Sequence, residues 1–152
     1  MEGCDKTGKS TLAKELAART GMEIRHNGVP SGNWYEQLLV QIEAAKQSPK
    51  GIIFDRFHWG DSVYAGITTP KALLTDEQFL EIEDKLKEAG TMVIYCSTNM
   101  TAIFKKFAED GEKLIVAEDI PNILKGYRRI LYATVLDVKM HDYINKPYEY
   151  QE

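Results

Sequence analysis

The sequence predicts an α/β domain in which a parallel sheet is covered by helices on both faces, and three observations carry that reading. Short apolar runs rich in β-branched residues, "GIIFD" (Gly51 to Asp55) and "MVIYC" (Met92 to Cys96), alternate with segments of helical periodicity, the pattern of a parallel sheet buried between helical layers. The spacing Gly3-x-x-x-x-Gly8-Lys9-Ser10 stands directly ahead of a helix-forming stretch. The 152 residues contain no internal repeat and no long Pro/Gly/Ser linker, so one domain over residues 1–152 is expected.

Each element has a local reason. From Ser10 to Arg19 the residues are good helix formers, Leu12 and Leu16 share a face, and Gly21 stands where a C-terminal cap belongs. "MEIRH" (Met22 to His26) reads as a short strand running into the turn-rich "NGVPSGN". A helix is predicted from Trp34 to about Lys46, with Tyr35, Leu38, Leu39 and Ile42 at helical spacing. Gly51 to Asp55 follows a Ser-Pro break and suits a buried strand. Thr75 and Gln78 form a capping-box pair before a helix with the stripe Phe79, Ile82 and Leu86, closed by Gly90. Met92 to Cys96 is the clearest strand. A helix over Thr101 to Ala108 meets the charged loop "EDGEK", and a longer helix carrying Ile120, Ile123, Leu124, Tyr127, Ile130 and Leu131 is expected to fill much of the remainder.

Composition narrows the classes of function. With 43% hydrophobic and 28% charged residues and no apolar run near a membrane span, the chain is not read as a membrane protein. No export signal opens the sequence, so a cytoplasmic location is expected, with Cys4 and Cys96 as free thiols. A formal net charge of −4 denies the protein the broad positive field of a nucleic-acid binder. An anionic substrate therefore needs a local positive site.

The phosphate-loop pattern supplies one, and each fixed position has a physical role. Glycines let successive backbone N–H groups turn inward, and the following helix adds its positive end. Lys9 reaches the outer phosphates, and Ser10 ligates Mg²⁺. The stretch Gly3, Cys4, Asp5, Lys6, Thr7, Gly8, Lys9, Ser10 and Thr11 is thus expected to hold ATP. The plain alternative is a chance Gly-rich turn before a helix. Such a loop hangs from a central strand, yet only Met1 and Glu2 precede Gly3. The expectation is that the natural chain begins several residues earlier, because a sheet without its middle strand leaves two neighbours unpaired.

Taken with "FDRFHWGDSVYAG" (Phe54 to Gly66), "EGCDKTGKST" (Glu2 to Thr11) makes the chain resemble the thymidylate kinase and deoxynucleoside kinase group of P-loop enzymes. The match is specific over the first third and loose afterwards. The resemblance implies a three-layer P-loop kinase fold with its first strand truncated. It further implies Asp5 as a loop carboxylate near the acceptor and Lys6 at the place of a catalytic loop arginine. Asp55 would orient Mg²⁺, together with Ser10, or take a proton from an attacking hydroxyl, and Arg56 would clamp an acceptor phosphate. The plain alternative for Asp55 and Arg56 is a surface ion pair at a strand end. Where the group often places lid arginines, this chain offers Lys105, Lys106 and Lys113, which lack the planar fork. Lys6, or Arg128 and Arg129, are the substitutes expected, and an ordinary solvated face is the bland reading of the three lysines.

Aromatic residues near the clamp, Phe57 and Trp59 after the Asp-Arg pair and Trp34 and Tyr35 after the second strand, are candidates to stack on a base. For both tryptophans a core position is an equal alternative. His26, His58 and His141 show no metal-site spacing, so Mg²⁺ arriving with the nucleotide is the metal expected. Three functions compete: transfer from ATP to a deoxynucleoside monophosphate such as thymidylate, the same chemistry on a free deoxynucleoside or a hydroxymethylated pyrimidine in DNA, and a non-catalytic nucleotide-binding module. The acidic balance disfavours DNA; a homodimer is the remaining partner expectation.

Overall fold

The computed structural model describes residues 1–4, 7–97, 100–110 and 117–142. Helix α1 (Lys9–Thr20) leaves the phosphate loop and ends on Gly21, whose φ of 74° and N–H bond to Ala17 form the expected left-handed cap. Strand β1 (Glu23–His26) leads to α2 (Trp34–Gln47), which Asn33 caps by accepting from the Glu36 N–H. Strand β2 (Ile52–Asp55) runs into the short α3 (Trp59–Val63). Helix α4 (Asp76–Glu88) opens on the predicted capping box, with the Thr75 side chain on the Gln78 N–H and the Gln78 side chain on the Thr75 N–H. Strand β3 (Met92–Ser97), α5 (Met100–Asp110), a 3₁₀ turn (Ala117–Asp119), α6 (Ile120–Ala133) and β4 (Asp137–Asp142) complete the order.

Three segments differ from expectation. Glu109 and Asp110 belong to α5 rather than to a loop, while the rest of "EDGEK" lies outside the described residues. The short α3 was hidden in a stretch read only as a motif. The long helix stops at Ala133, and residues 137–142 form a strand. "DVKMHD" has no continuous apolar run because β4 pairs, among the described residues, with β3 alone and leaves most of its side chains partly or fully exposed.

All strand pairings among the described residues are parallel. β1 runs beside β2 with Glu23 opposite Ile52 and His26 opposite Asp55, and β3 runs beside β4. Met1 and Glu2 lie between the two pairs and join them. The Met1 amine donates to Phe54 O (2.8 Å) and Arg56 N to Met1 O (2.9 Å) on one side. On the other, Glu2 N donates to Ile94 O (3.0 Å) and Cys96 N to Glu2 O (2.8 Å). The lateral order is thus β1, β2, Met1–Glu2, β3, β4. Side chains of β3 alternate across it: Ile94 and Cys96 pack with Leu12 and Leu16 of α1, whereas Val93 and Tyr95 face a larger core shared with α2, α4, α5 and α6. These are the two helical layers the sequence predicts.

Below Met1, where β2 and β3 flank no strand among the described residues, an apolar cavity of about 370 Å³ opens, walled by Leu16, Met22, Ile53, Leu86, Met92 and Val93 among others. No helix among the described residues is long and apolar enough to cross a membrane.

Candidate active site

The loop is built from backbone that only glycine tolerates at two points. Gly3 has a φ of 139°, and a Cβ there would sit 2.2 Å from Cys96 O, against β3; Gly8, ahead of α1, has a φ of 78°. Side chains brace this curve from below. Tyr127 of α6 donates to Gly3 O (3.0 Å), and Thr7 Oγ1 donates to Cys4 O (2.6 Å). Glu2, itself buried, accepts from Phe57 N (2.8 Å) and Trp59 N (3.3 Å), tying the start of the loop to the segment after β2.

Lys9 folds back into its own loop, with Nζ donating to Gly3 O (2.9 Å) and Cys4 O (2.8 Å). It is buried, and burial pulls its pKa below the usual lysine range, with the Asp55 carboxylate acting the other way. The ammonium is therefore a poorly solvated cation that an outer phosphate can draw out. Cys4 is fully buried beneath it, and Ser10 and Thr11 are exposed on the first turn of α1.

Asp55, at the end of β2, reaches this turn: Ser10 Oγ donates to its Oδ2 at 2.8 Å. The expected proximity of Asp55 to the loop is thus met. His26 Nδ1 lies 3.1 Å from the same oxygen, placed there because β1 pairs with β2 so that His26 faces Asp55. Spacing within the sequence could not reveal His26, which is 29 positions away; the parallel pairing of the two strands was the signal available. Asp55 Oδ1 is buried without a hydrogen-bond partner among the described residues. Ser10, Lys9, His26, Asp55 and Arg56 line an open cleft of about 200 Å³.

Arg56 adopts a φ of 69°, the one non-glycine residue with positive φ among those described. A conformation that costs on the order of 1–3 kcal/mol persists only where surroundings impose it. Here Arg56 N bonds Met1 O and Asn27 Nδ2 donates to Arg56 O (2.9 Å). The turn carries its guanidinium to 6.0 Å from the Tyr64 ring centre. Arg56 also lines a second, narrow cleft of about 40 Å³ with Val29, Phe57, Asp61 and Tyr64. Burial pushes the Tyr64 phenol well above its ordinary value, so it stays neutral. Asp61 holds the far wall by accepting from Leu73 N (2.8 Å) and Leu74 N (3.0 Å).

The other candidates fall elsewhere. Asp5 and Lys6 lie outside the described residues, as does Lys113. Trp59 is fully buried, donating from Nε1 to Glu83 (3.4 Å), and Trp34 is buried in the large core; both take the core alternative and neither lines a cleft at Arg56. Tyr35 sits at the contact of α2 with α4, where its hydroxyl donates to Glu81, which pushes its pKa up to about 12. Lys105 and Lys106 are exposed on α5. Arg129 borders a groove against α4 with Phe79 and Glu83, away from the phosphate cleft. Cys4 and Cys96 are free thiols, as expected, and burial raises Cys96 to about 11.

The chain is 31% identical over 135 residues to the SPβ prophage-derived protein YorR of Bacillus subtilis, covering 86% of this chain and 79% of that one. The crystal structure of Bacillus subtilis YorR in complex with phosphorylated GDP superposes with a TM-score of 0.75 at 30% identity, over 93% of this chain and 82% of that one. Deoxyadenosine kinase from M. mycoides with bound dATP aligns at 19% identity with a TM-score of 0.60, over 92% and 88% of the two chains, a likeness of fold. No protein-family model matches the chain. The fold is that of the P-loop kinases, as the resemblance implied; the narrower likeness to thymidylate kinase finds no counterpart among these neighbours.

Proposed function

Since the chain belongs to the family of the prophage protein YorR, we propose that it is a nucleotide kinase that moves the γ-phosphoryl group of ATP to a small deoxynucleoside monophosphate, thymidylate among the candidates. The observation that carries this reading is Arg56, which lines both the phosphate cleft and the narrow cleft beside Tyr64. A single guanidinium between two cavities is suited to hold an acceptor phosphate in line with a donor phosphate. That the YorR structure holds phosphorylated GDP supports a nucleotide ligand in this fold.

In this reading the loop N–H groups and Lys9 grip the β- and γ-phosphates, Lys9 exchanging its loop carbonyls for phosphate oxygens. Ser10 Oγ and the Asp55 carboxylate would hold Mg²⁺, a fit favoured by the buried Oδ1 of Asp55, which has no hydrogen-bond partner among the described residues. When bound, the ion neutralises charge on the phosphates. Arg56 orients the acceptor so that one of its phosphate oxygens forms a bond to the γ-phosphorus as the bond to the bridging oxygen breaks and ADP leaves. Lys6 adds charge at the loop, and Phe57 and Tyr64 cover the acceptor's base or sugar.

Incubation with labelled ATP, Mg²⁺ and separate pools of deoxynucleosides, their monophosphates and hydroxymethylated duplex DNA tests the proposal. Label is expected in the monophosphate pool. Label in the nucleoside or DNA pool alone would replace the acceptor assignment, and label in none would leave a binding module.

A further inference from the structure

The cluster at the mouth of the phosphate cleft contains a group the proposed reaction has not used. His26 Nδ1 stands 3.1 Å from Asp55 Oδ2, and Ser10 Oγ stands 2.8 Å from that same oxygen. The imidazole is 62% exposed whereas the Asp55 side chain is 4% exposed, so the ring packs into no core that would explain its position. Neighbouring donors around a six-coordinate ion with bonds of about 2.1 Å lie about 3.0 Å apart. Ser10 Oγ and His26 Nδ1 each already stand at that separation from Asp55 Oδ2, and Asp55 brings a buried second oxygen with no partner among the described residues.

We infer that His26 is a third protein donor to the divalent cation of the phosphate cleft, beside Ser10 and Asp55, and that it biases the site toward first-row ions such as Mn²⁺ over Mg²⁺. The inference rests on the kinase reading and adds to it the identity of the ion. A hydroxyl and a carboxylate alone form an oxygen set suited to Mg²⁺. Oxygen donors suit Mg²⁺ and Mn²⁺ alike, so an added imidazole nitrogen, a donor that first-row ions accept with Mn²⁺ at the weak end of their series, is what separates the two. In the ion-free protein Nδ1 stands at hydrogen-bond distance from the Asp55 carboxylate. With the ring proton on Nε2, the Nδ1 lone pair faces the ion while Nε2–H points to solvent. The plain alternative is that the three groups are merely hydrogen-bonded, which the same distances allow, so the discriminating observable is a metal–nitrogen bond.

Full-length protein labelled with ¹⁵N is mixed with unlabelled ADP and Mn²⁺ and examined by pulsed electron–nuclear double resonance. A ¹⁵N coupling of directly ligated strength is expected in the wild type and absent in His26→Ala, a substitution at an exposed side chain that leaves the core untouched. Titration with Mg²⁺ gives the second readout: the preference for Mn²⁺ is expected to fall about tenfold in the variant. Mn²⁺ bound with ADP but without a ¹⁵N coupling would overturn this inference and leave the kinase reading standing. Failure of ADP and Mn²⁺ to bind at all would overturn both.

Discussion

The cavity beneath Met1 yields a quantitative prediction. β2 and β3 continue below it to Ile52 on one side and Met92 on the other, with Gly51 and Thr91 just beyond the strand ends, and at about 3.3 Å per residue these three positions span a slot roughly 10 Å deep. The Met1 amine closes the top of the slot. In a chain that starts at Met1 this amine makes the bond to Phe54 O that a strand N–H would make, as a buried ammonium whose pKa burial lowers below the ordinary value. Joining three β-branched apolar residues ahead of Met1, with a polar residue before them, turns that ammonium into an amide and extends the strand between its neighbours. Burying three such side chains contributes about 6 kcal/mol, and three new ladder bonds about 3 kcal/mol. Ordering three residues costs about 6 kcal/mol, so the net gain is about 3 kcal/mol before relief of the buried charge. In urea denaturation this raises the midpoint by about 1–2 M. The pH dependence supplies an independent sign. An ammonium whose folded pKa is depressed binds its proton more readily when unfolded, so stability rises as pH climbs from the folded value toward the unfolded one near 8. The extended variant loses that rise. An unchanged midpoint together with an unchanged slope between pH 6 and 8 would refute the reasoning.

Lys9→Met should abolish phosphoryl transfer while preserving the thermal transition, since Gly3 O keeps its bond from Tyr127; turnover in the variant would exclude the site. Arg56→Lys keeps the charge but loses the fork, so the KM for the acceptor should rise on the order of tenfold to a hundredfold with the KM for ATP little changed; equal changes in both would remove Arg56 from the acceptor. Glu83→Gln disrupts a buried cluster in which His58 Nε2 (2.6 Å), Trp59 Nε1 and Thr134 Oγ1 all donate to one carboxylate, and should cost about 2–4 kcal/mol in chemical denaturation. Burial alone would raise Glu83, but these donors outweigh it and hold the carboxyl below its ordinary value. The stability it contributes is therefore present above the unfolded pKa near 4.3 and lost as pH falls through the folded one. In Glu83→Gln this part of the acid limb should vanish; an acid limb identical to that of the wild type would contradict the assignment.

What the sequence revealed and what it hid divide along a physical line. The phosphate loop, the capped helix ends and β2 and β3 were legible because each is written in contiguous residues: a glycine spacing, a Thr-x-x-Gln box, an apolar β-branched run. The Asp-Arg pair was legible from its motif, although the left-handed backbone of Arg56 was not, since arginine gives no hint of positive φ; the bonds from Asn27 and to Met1 hold it there. The features hidden in the sequence are made by register between distant segments. His26 reaches Asp55 only because β1 and β2 align in parallel, and Glu83 is a buried acid on the inner side of α4 only because His58 and Thr134 arrive there from other elements. Trp34 and Trp59 show the limit of local reading: their sequence neighbourhood left pocket and core equally open, and burial places both in the core. Strand alignment also explains why the cation cluster is compact. Two parallel strands end level, so residues paired at their last positions, His26 and Asp55, meet at the C-terminal edge beside the first turn of α1, where Ser10 completes the set. A one-residue slip of β1 would turn His26 to the opposite face and leave Asp55 with Ser10 alone, so the pairing of these two strands determines which donors the phosphate cleft presents.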